Sequence, residues 1–298
     1  MNPTRALSAI TITLGACGAP AEVWDEPKNC VVCAGWNDPV EPYKIHGDTY
    51  YVGVAQLTSV LIASDAGHIL IDGALPESAP LIDANIRALG FRTEDIKLML
   101  NSHAHFDHAG GFAGLQRVSG APVATSARGA AALKAGGPIE ADPQFGLGAD
   151  FNSFPPVETV RVVEDGETLT VGALAVTALH TPGHTPGGAS WAWRSCEGGT
   201  CVDMLYADSL NAVSAPAFRF TGAEAEAALR ESIAKISGAA CDVLIPAHPQ
   251  FASLDEKRAR RAAGEADAFI NAGDCAAYAL AASERLDQRL RTEARLAE

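Results

Sequence analysis

The chain is short of positive charge: across 298 residues, 22 lysines and arginines face 36 aspartates and glutamates, a formal net charge of −14. Such a balance repels phosphate backbones and excludes nucleic acid as a partner. No internal repeat, low-complexity block or long linker divides the sequence, so one folded unit is expected over residues 22–298. A second C-x-x-C is also missing, which excludes a structural zinc ribbon built on Cys30 and Cys33.

Long hydrophobic runs are absent as well. The apolar stretch LSAITITLGA, after Arg5, is too short to span a bilayer stably and reads as part of a signal peptide over residues 1–21. Gly15, Gly18 and Pro20 oppose the other reading, a buried helix. Two cleavage sites compete. LGAC at 14–17 resembles a lipoprotein signal and would leave Cys17 as a lipidated first residue; APA at 19–21 would start the mature chain at Glu22. Either implies export to the periplasm. Removing Cys17 from the seven cysteines leaves six, which allow 15 pairings. The Gly-rich tip SCEGGTC favours Cys196 with Cys201 as a hairpin staple. Cys241 with Cys275, and Cys30 with Cys33, complete the expected set.

What is present is enough apolar material, 48% of residues, for a core of two sheet layers flanked by helices. After the Pro-rich WNDPVEPYKI, the segments TYYVGVA, LTSVLIAS and GHILIDG read as a strand meander. SAPLIDANIRALGF has helical spacing, with Ser78 as its expected cap and Gly90 at its end. IKLMLNS is a buried strand, and 108–118 a helix. PVATS reads as a strand and ARGAAALKAG as a helix. Residues 136–158 form a long irregular segment of the kind that makes lids or lips. From 159, ETVRVVED, LAVTALHT, GASWAWRS and CVDMLYAD form a second run of strands. A helix at 222–237, the strand CDVLIPAH and a helical C-terminus follow. The repeated β-then-α order suggests two sheets sandwiched between helix layers, without fixing their topology.

The stretch NSHAHFDHAGG concentrates His103, His105, Asp107 and His108 just after a buried strand. Imidazole nitrogen and carboxylate oxygen are the donors zinc prefers where thiolate is lacking. Two metal ions sharing a water need about six protein ligands, two more than this cluster offers. His184, in TPGHTPGG, and His248, in IPAHPQ, also follow apolar strands and supply the remainder. His46, His68 and His180 read as ordinary polar side chains.

HAHFDH, TPGHTPG and the later strand-end histidine resemble the metallo-β-lactamase superfamily over roughly residues 36–280. AGWNDP, SDAGHILIDG, HTPGGASWAWRSC and YADSLNAVSA resemble its class B β-lactamases of the third subclass. The pairs 241–275 and 196–201 also resemble disulfides of that group. The resemblance implies an αββα sandwich of two mixed β-sheets, in which His103, His105 and His184 hold one zinc, and Asp107, His108 and His248 a second. It implies hydrolysis of the β-lactam amide bond of penicillins, cephalosporins and carbapenems by a hydroxide held between the two zincs, giving antibiotic resistance. Asp107 would orient that nucleophile and relay its proton. His108 takes the place of the cysteine ligand used by the other subclasses; Cys201 lies too early in its strand for that role.

The resemblance makes Ser209 and Asn211 the candidate donors for the substrate carboxylate. Gln144, Phe145 and Phe154 are candidates along the lip. Asp72 is a candidate partner for a ligand histidine or a turn cap. The implied partner is a small-molecule β-lactam met by a monomer without a transmembrane span, with a lipid anchor only if Cys17 is retained. The rival is a lactonase or glyoxalase-type thioesterase on the same scaffold, in which an aspartate at the position of Asp208 would bridge both metals. A non-catalytic exported zinc protein is the third reading and would need a closed site.

Overall fold

β-Branched runs pair as their alternation predicts. The computed structural model describes residues 23–28 and 30–297; the expected signal segment and Cys17 lie outside them. One seven-stranded sheet runs in the order β1 (Tyr43–His46), β2 (Thr49–Tyr51), β3 (Val60–Ile62), β4 (His68–Ile71), β5 (Ile96–Leu100), β6 (Val123–Thr125) and β7 (Val160–Val162). β1 to β4 are antiparallel neighbours, whereas β4 to β7 pair in parallel. The second sheet holds β8 (Thr168–Val171), β9 (Leu174–His180), β10 (Ala189–Glu197), β11 (Thr200–Ala207) and β12 (Val243–Pro246), in the order 12-11-10-9-8. Only its β11–β12 pair is parallel.

Period-two alternation sorts side chains into three apolar layers. Ile69, Ile71, Leu98 and Leu100 face the second sheet, where Trp191, Met204, Tyr206 and Ile245 meet them. Leu70 and Met99 point the other way, toward helices α2 (Ala79–Ala88) and α4 (Phe112–Ser119). Leu205 and Ala207 point out from the second sheet, toward α7 (Glu224–Ser237) and α9 (Asp274–Leu296). The short α1 (Cys33–Trp36), α3 (Phe106–Ala109) and α6 (Ala149–Asn152), with α5 (Ala127–Ala135) and α8 (Leu254–Ala262), complete the helical part. The result is the expected αββα sandwich. Among the described residues no helix is long and apolar enough to cross a membrane.

Four details depart from the sequence reading. β7 joins the first sheet beside β6 rather than opening the second. The segment 168–171, too short and Thr-rich to stand out, forms edge strand β8. The helix expected over 108–118 is split into α3 and α4 at Gly110–Gly111, because the 73–76 backbone crosses there. A Cβ on Gly111 would sit 2.2 Å from the Gly73 carbonyl oxygen. Ser78 stands at the N-cap of α2 as expected, but its hydroxyl makes no bond to the helix; it donates to Asn37 Oδ1 and accepts from the Leu75 amide.

All three expected disulfides are present: Cys30–Cys33, Cys196–Cys201 and Cys241–Cys275. The second closes the β10–β11 hairpin, whose Gly198 and Gly199 both take positive φ. The third ties the lead-in to β12 to the first turn of α9.

At the far end of α9, buried Glu293 accepts from the amides of Phe220 and Thr221, the Thr221 hydroxyl and Arg289 Nε. Burial raises its carboxyl, but these donors outweigh that and lower it from the usual 4.5 to about 2. A depressed folded pKa stabilises above the unfolded value and is lost as pH falls through the folded one. Glu293→Gln is therefore expected to cost about 1–3 kcal/mol at neutral pH. That gap should narrow as urea unfolding is repeated from pH 4.5 toward 2; a gap independent of pH would contradict the assignment.

Candidate metal centre

The ends of three strands and the short α3 converge on one rim. β5 stops at Leu100, and the chain turns through Asn101 and Ser102 to present His103. His105 occupies the N-cap of α3, so Asp107 and His108 fall on that helix's single turn. His184 follows β9 within the Pro182–Pro186 turn, and His248 follows β12. The structure thus gathers all six ligand-type residues expected from the sequence. His103, His105, Asp107, His108 and His184 are buried, and the side chain of His248 is 15% exposed.

Donor atoms of His103, His105 and His184 lie within 4.8 Å of one another, as do those of His103, Asp107 and His108. His248 belongs with the latter cluster: its Nε2 is 3.2 Å from His108 Nε2, and Asp107 Oδ2 is 3.4 Å from His108 Nε2 and 3.6 Å from His248 Nε2. Tetrahedral zinc bonds of ordinary length place neighbouring ligand atoms about 3.3 Å apart. The spacing and the all-nitrogen-and-oxygen donor set fit that ion.

Four of the five imidazoles have a hydrogen-bond acceptor at the other nitrogen, and the fifth, His108, faces a carboxylate. His103 Nδ1 is 2.8 Å from Asp208 Oδ1, and His105 Nε2 is 3.2 Å from Asp142 Oδ2. His184 Nδ1 donates to the Asn211 carbonyl at 2.7 Å, and His248 Nδ1 to the Gln56 carbonyl at 3.0 Å. His108 Nδ1 stands 3.3 Å from Asp72 Oδ2, close enough for an ion pair but without hydrogen-bond alignment. These partners fix which nitrogen faces inward: Nε2 for His103, His108, His184 and His248, and Nδ1 for His105.

Electrostatics agree with that wiring. Burial and neighbouring imidazoles push His103 far down, His184 to about 3 and His248 to about 4, leaving neutral rings with lone pairs available. Burial alone would lower His108 too, but Asp107 and Asp72 raise it to about 10. Burial raises Asp107, yet His108, His248 and His105 together hold it below the usual carboxylate range. A cation at this second cluster must displace the His108 proton.

Gln144 is buried, with Nε2 3.5 Å from the inward Nδ1 of His105. Phe145 is half exposed on the lip, while Phe154 packs into the helix-side core. Ser209 is buried and its amide donates to Asp208 Oδ1. Asn211 uses its carbonyl on His184. Asp72 accepts from the amide and hydroxyl of Ser102 and from the Tyr206 hydroxyl, besides facing His108.

Sequence reading missed Asp142 and Trp36. Trp36 stacks on Phe106 with ring centroids 6.5 Å apart and stands edge-on to His248 at 5.9 Å, forming one wall of the site. Its only signal was the AGWNDP stretch; Asp142 had none, because an aspartate before a proline reads as a turn.

An αββα sandwich with a six-residue nitrogen and oxygen cluster at one rim defines a metal-dependent hydrolase scaffold. The model of the metallo-beta-lactamase superfamily matches residues 52–248, and the chain belongs to that family. Among solved structures, Rm3 metallo-beta-lactamase is 50% identical, with a TM-score of 0.86 over 89% of this chain and 99% of that one. MEM-A1, a subclass B3 metallo-beta-lactamase isolated from a soil metagenome library, is 51% identical at a TM-score of 0.84, covering 87% and 99%. A probable metallo-hydrolase of Burkholderia pseudomallei is 33% identical over 111 residues, which cover 37% of this chain and 34% of that protein. The chain spans about a third of the length of the curated relatives it matches first.

Proposed function

We propose that the protein is an exported enzyme with two zinc ions that opens the β-lactam ring of penicillins, cephalosporins and carbapenems, giving antibiotic resistance. The observation that carries this choice within the family is Asp208. A lactonase or thioesterase of this scaffold would set that carboxylate between the two metals. Here it is fully buried behind His103, bonded to the outward Nδ1, and it belongs to neither cluster of convergent donors. The similarity to B3 β-lactamases over most of the chain supports the same choice.

His103, His105 and His184 are assigned to the first zinc, and Asp107, His108 and His248 to the second. Bound zinc supplies a Lewis acid for the lactam carbonyl and makes water acidic enough to ionise near neutral pH. Asp107, whose side chain is 11% exposed at the edge of its cluster, orients the attacking water and passes its proton to the departing ring nitrogen. Ser209 and Asn211 serve the substrate carboxylate, Gln144 donates from the lip, and half-exposed Phe145 offers apolar contact. The three disulfides suit an oxidising compartment, in keeping with a signal over residues 1–21 and a periplasmic monomer, lipid-anchored only if Cys17 is retained.

Chelation is expected to abolish hydrolysis and added zinc to restore it. Metal analysis should find two zincs per wild-type chain and fewer in His248→Ala; two zincs in that variant would remove His248 from the second set.

A further inference from the structure

The irregular segment 136–158 lies against the cluster, and both its ends are held by charge. At the inner end the Asp142 carboxylate accepts from His105 Nε2 at 3.2 Å and from the Gln144 amide at 2.8 Å. The Gln144 carbonyl accepts from Asn152 Nδ2 at 2.7 Å, which joins the Asp142 turn to α6. At the outer end Lys28 Nζ donates to the carbonyls of Asp150 and Ser153, at 3.2 and 2.7 Å. An ammonium on the free carbonyls of a helix end is a favourable, charge-assisted contact.

Lys28 is itself fixed. Its amide donates to Glu77 Oε2 at 2.8 Å, and the Cys30–Cys33 disulfide closes the turn two residues on. Its Nζ stands 5.1 Å over the ring of Phe106, the residue between His105 and Asp107, and Phe151 of α6 meets the same ring edge-on at 5.3 Å. A chain of contacts therefore runs from the amino-terminal strap through α6 and Asn152 to Asp142 and His105. The other four histidines face different groups: His103 the Asp208 carboxylate, His108 that of Asp72, and His184 and His248 the carbonyls of Asn211 and Gln56.

We propose that the 136–158 lip is a working part of the metal centre: Asp142 is a positioning residue for His105, and Lys28 pins the lip so that Asp142 stays in place. Loosening the lip then weakens metal retention at His105 as well as substrate capture. This rests on the metal-binding reading above and is independent of which amide or ester the enzyme cleaves.

The test uses the full-length zinc-loaded protein and follows the rate at which a coloured chelator withdraws zinc. Asp142→Asn is expected to weaken retention by roughly 10- to 100-fold, the usual effect of removing the partner of a ligand histidine. Lys28→Met should accelerate release by a smaller factor with an unchanged unfolding midpoint, and Lys28→Arg should restore the wild-type rate. The double variant should release zinc no faster than Asp142→Asn alone, because both changes act through one contact. Wild-type release from Lys28→Met, or additive effects in the double variant, would overturn the inference and leave the metal reading standing. A wild-type chain that holds no zinc would overturn both.

Discussion

Replacing Asp107 by alanine is expected to lower β-lactam turnover by roughly 10²–10⁴-fold, the range for a positioned group that handles a proton in the transition state. Two losses combine. Asp107 Oδ2 faces the inward nitrogens of His108 and His248, so its removal opens one corner of the second cluster. It is also the carboxylate assigned to orient the attacking water. Because its histidine neighbours hold its carboxyl below the usual range, it stays ionised across ordinary assay conditions. Acid loss of activity near neutral pH should therefore not trace to Asp107. Asp107→Asn separates the two roles, since it keeps the shape and one oxygen but cannot take a proton. Steady-state rates at saturating zinc, with metal measured per chain, are the readout. Full activity in either variant at two zincs per chain would contradict the role given to this residue.

The second large effect is expected at Asp72. This residue is fully buried and holds a left-handed backbone, φ 57°, in a chain where only two other non-glycine residues among those described do so. Its carboxylate gathers Ser102, Tyr206 and the outer face of His108. Asp72→Ala leaves those donors without partners and adds backbone strain, so a loss of about 3–5 kcal/mol is expected, as when one member of a buried pair is removed. Metal affinity should fall roughly 10- to 100-fold as His108 loses its support. Asp72→Asn tolerates the same backbone and keeps part of the hydrogen bonding. It should recover much of the stability, measured by urea unfolding, but not the zinc affinity, measured by competition. A fall in stability without any change in zinc affinity would mean that Asp72 is purely structural.

Much of the site was legible because metal ligands are rare residue types placed at strand ends. His103, His105, Asp107 and His108 are crowded in one stretch, and His184 and His248 stand out between prolines and glycines. Their acceptors were mostly hidden. Asp142 acts across a loop of no recognisable pattern, and the Gln56 and Asn211 contributions come from backbone carbonyls, which side-chain identity does not encode. The same divide governs the fold. Nearly continuous apolar strands such as β4, β5 and β11 declare their existence, because both of their faces are buried. The membership of β7 depends instead on pairing with β6, Val123 opposite Val160, and the break between α3 and α4 on a neighbouring backbone crossing Gly111. Long-range contacts of this kind leave little local trace.

This cluster, in this member of the family, is expected to open β-lactam rings. One panel tests it directly: zinc-loaded protein assayed against a penicillin, a carbapenem, a lactone and a glutathione thioester. The expected result is chelator-sensitive hydrolysis of both β-lactams, with the lactone and thioester turned over far more slowly. Inertness toward both β-lactams together with efficient cleavage of the lactone or the thioester would contradict it.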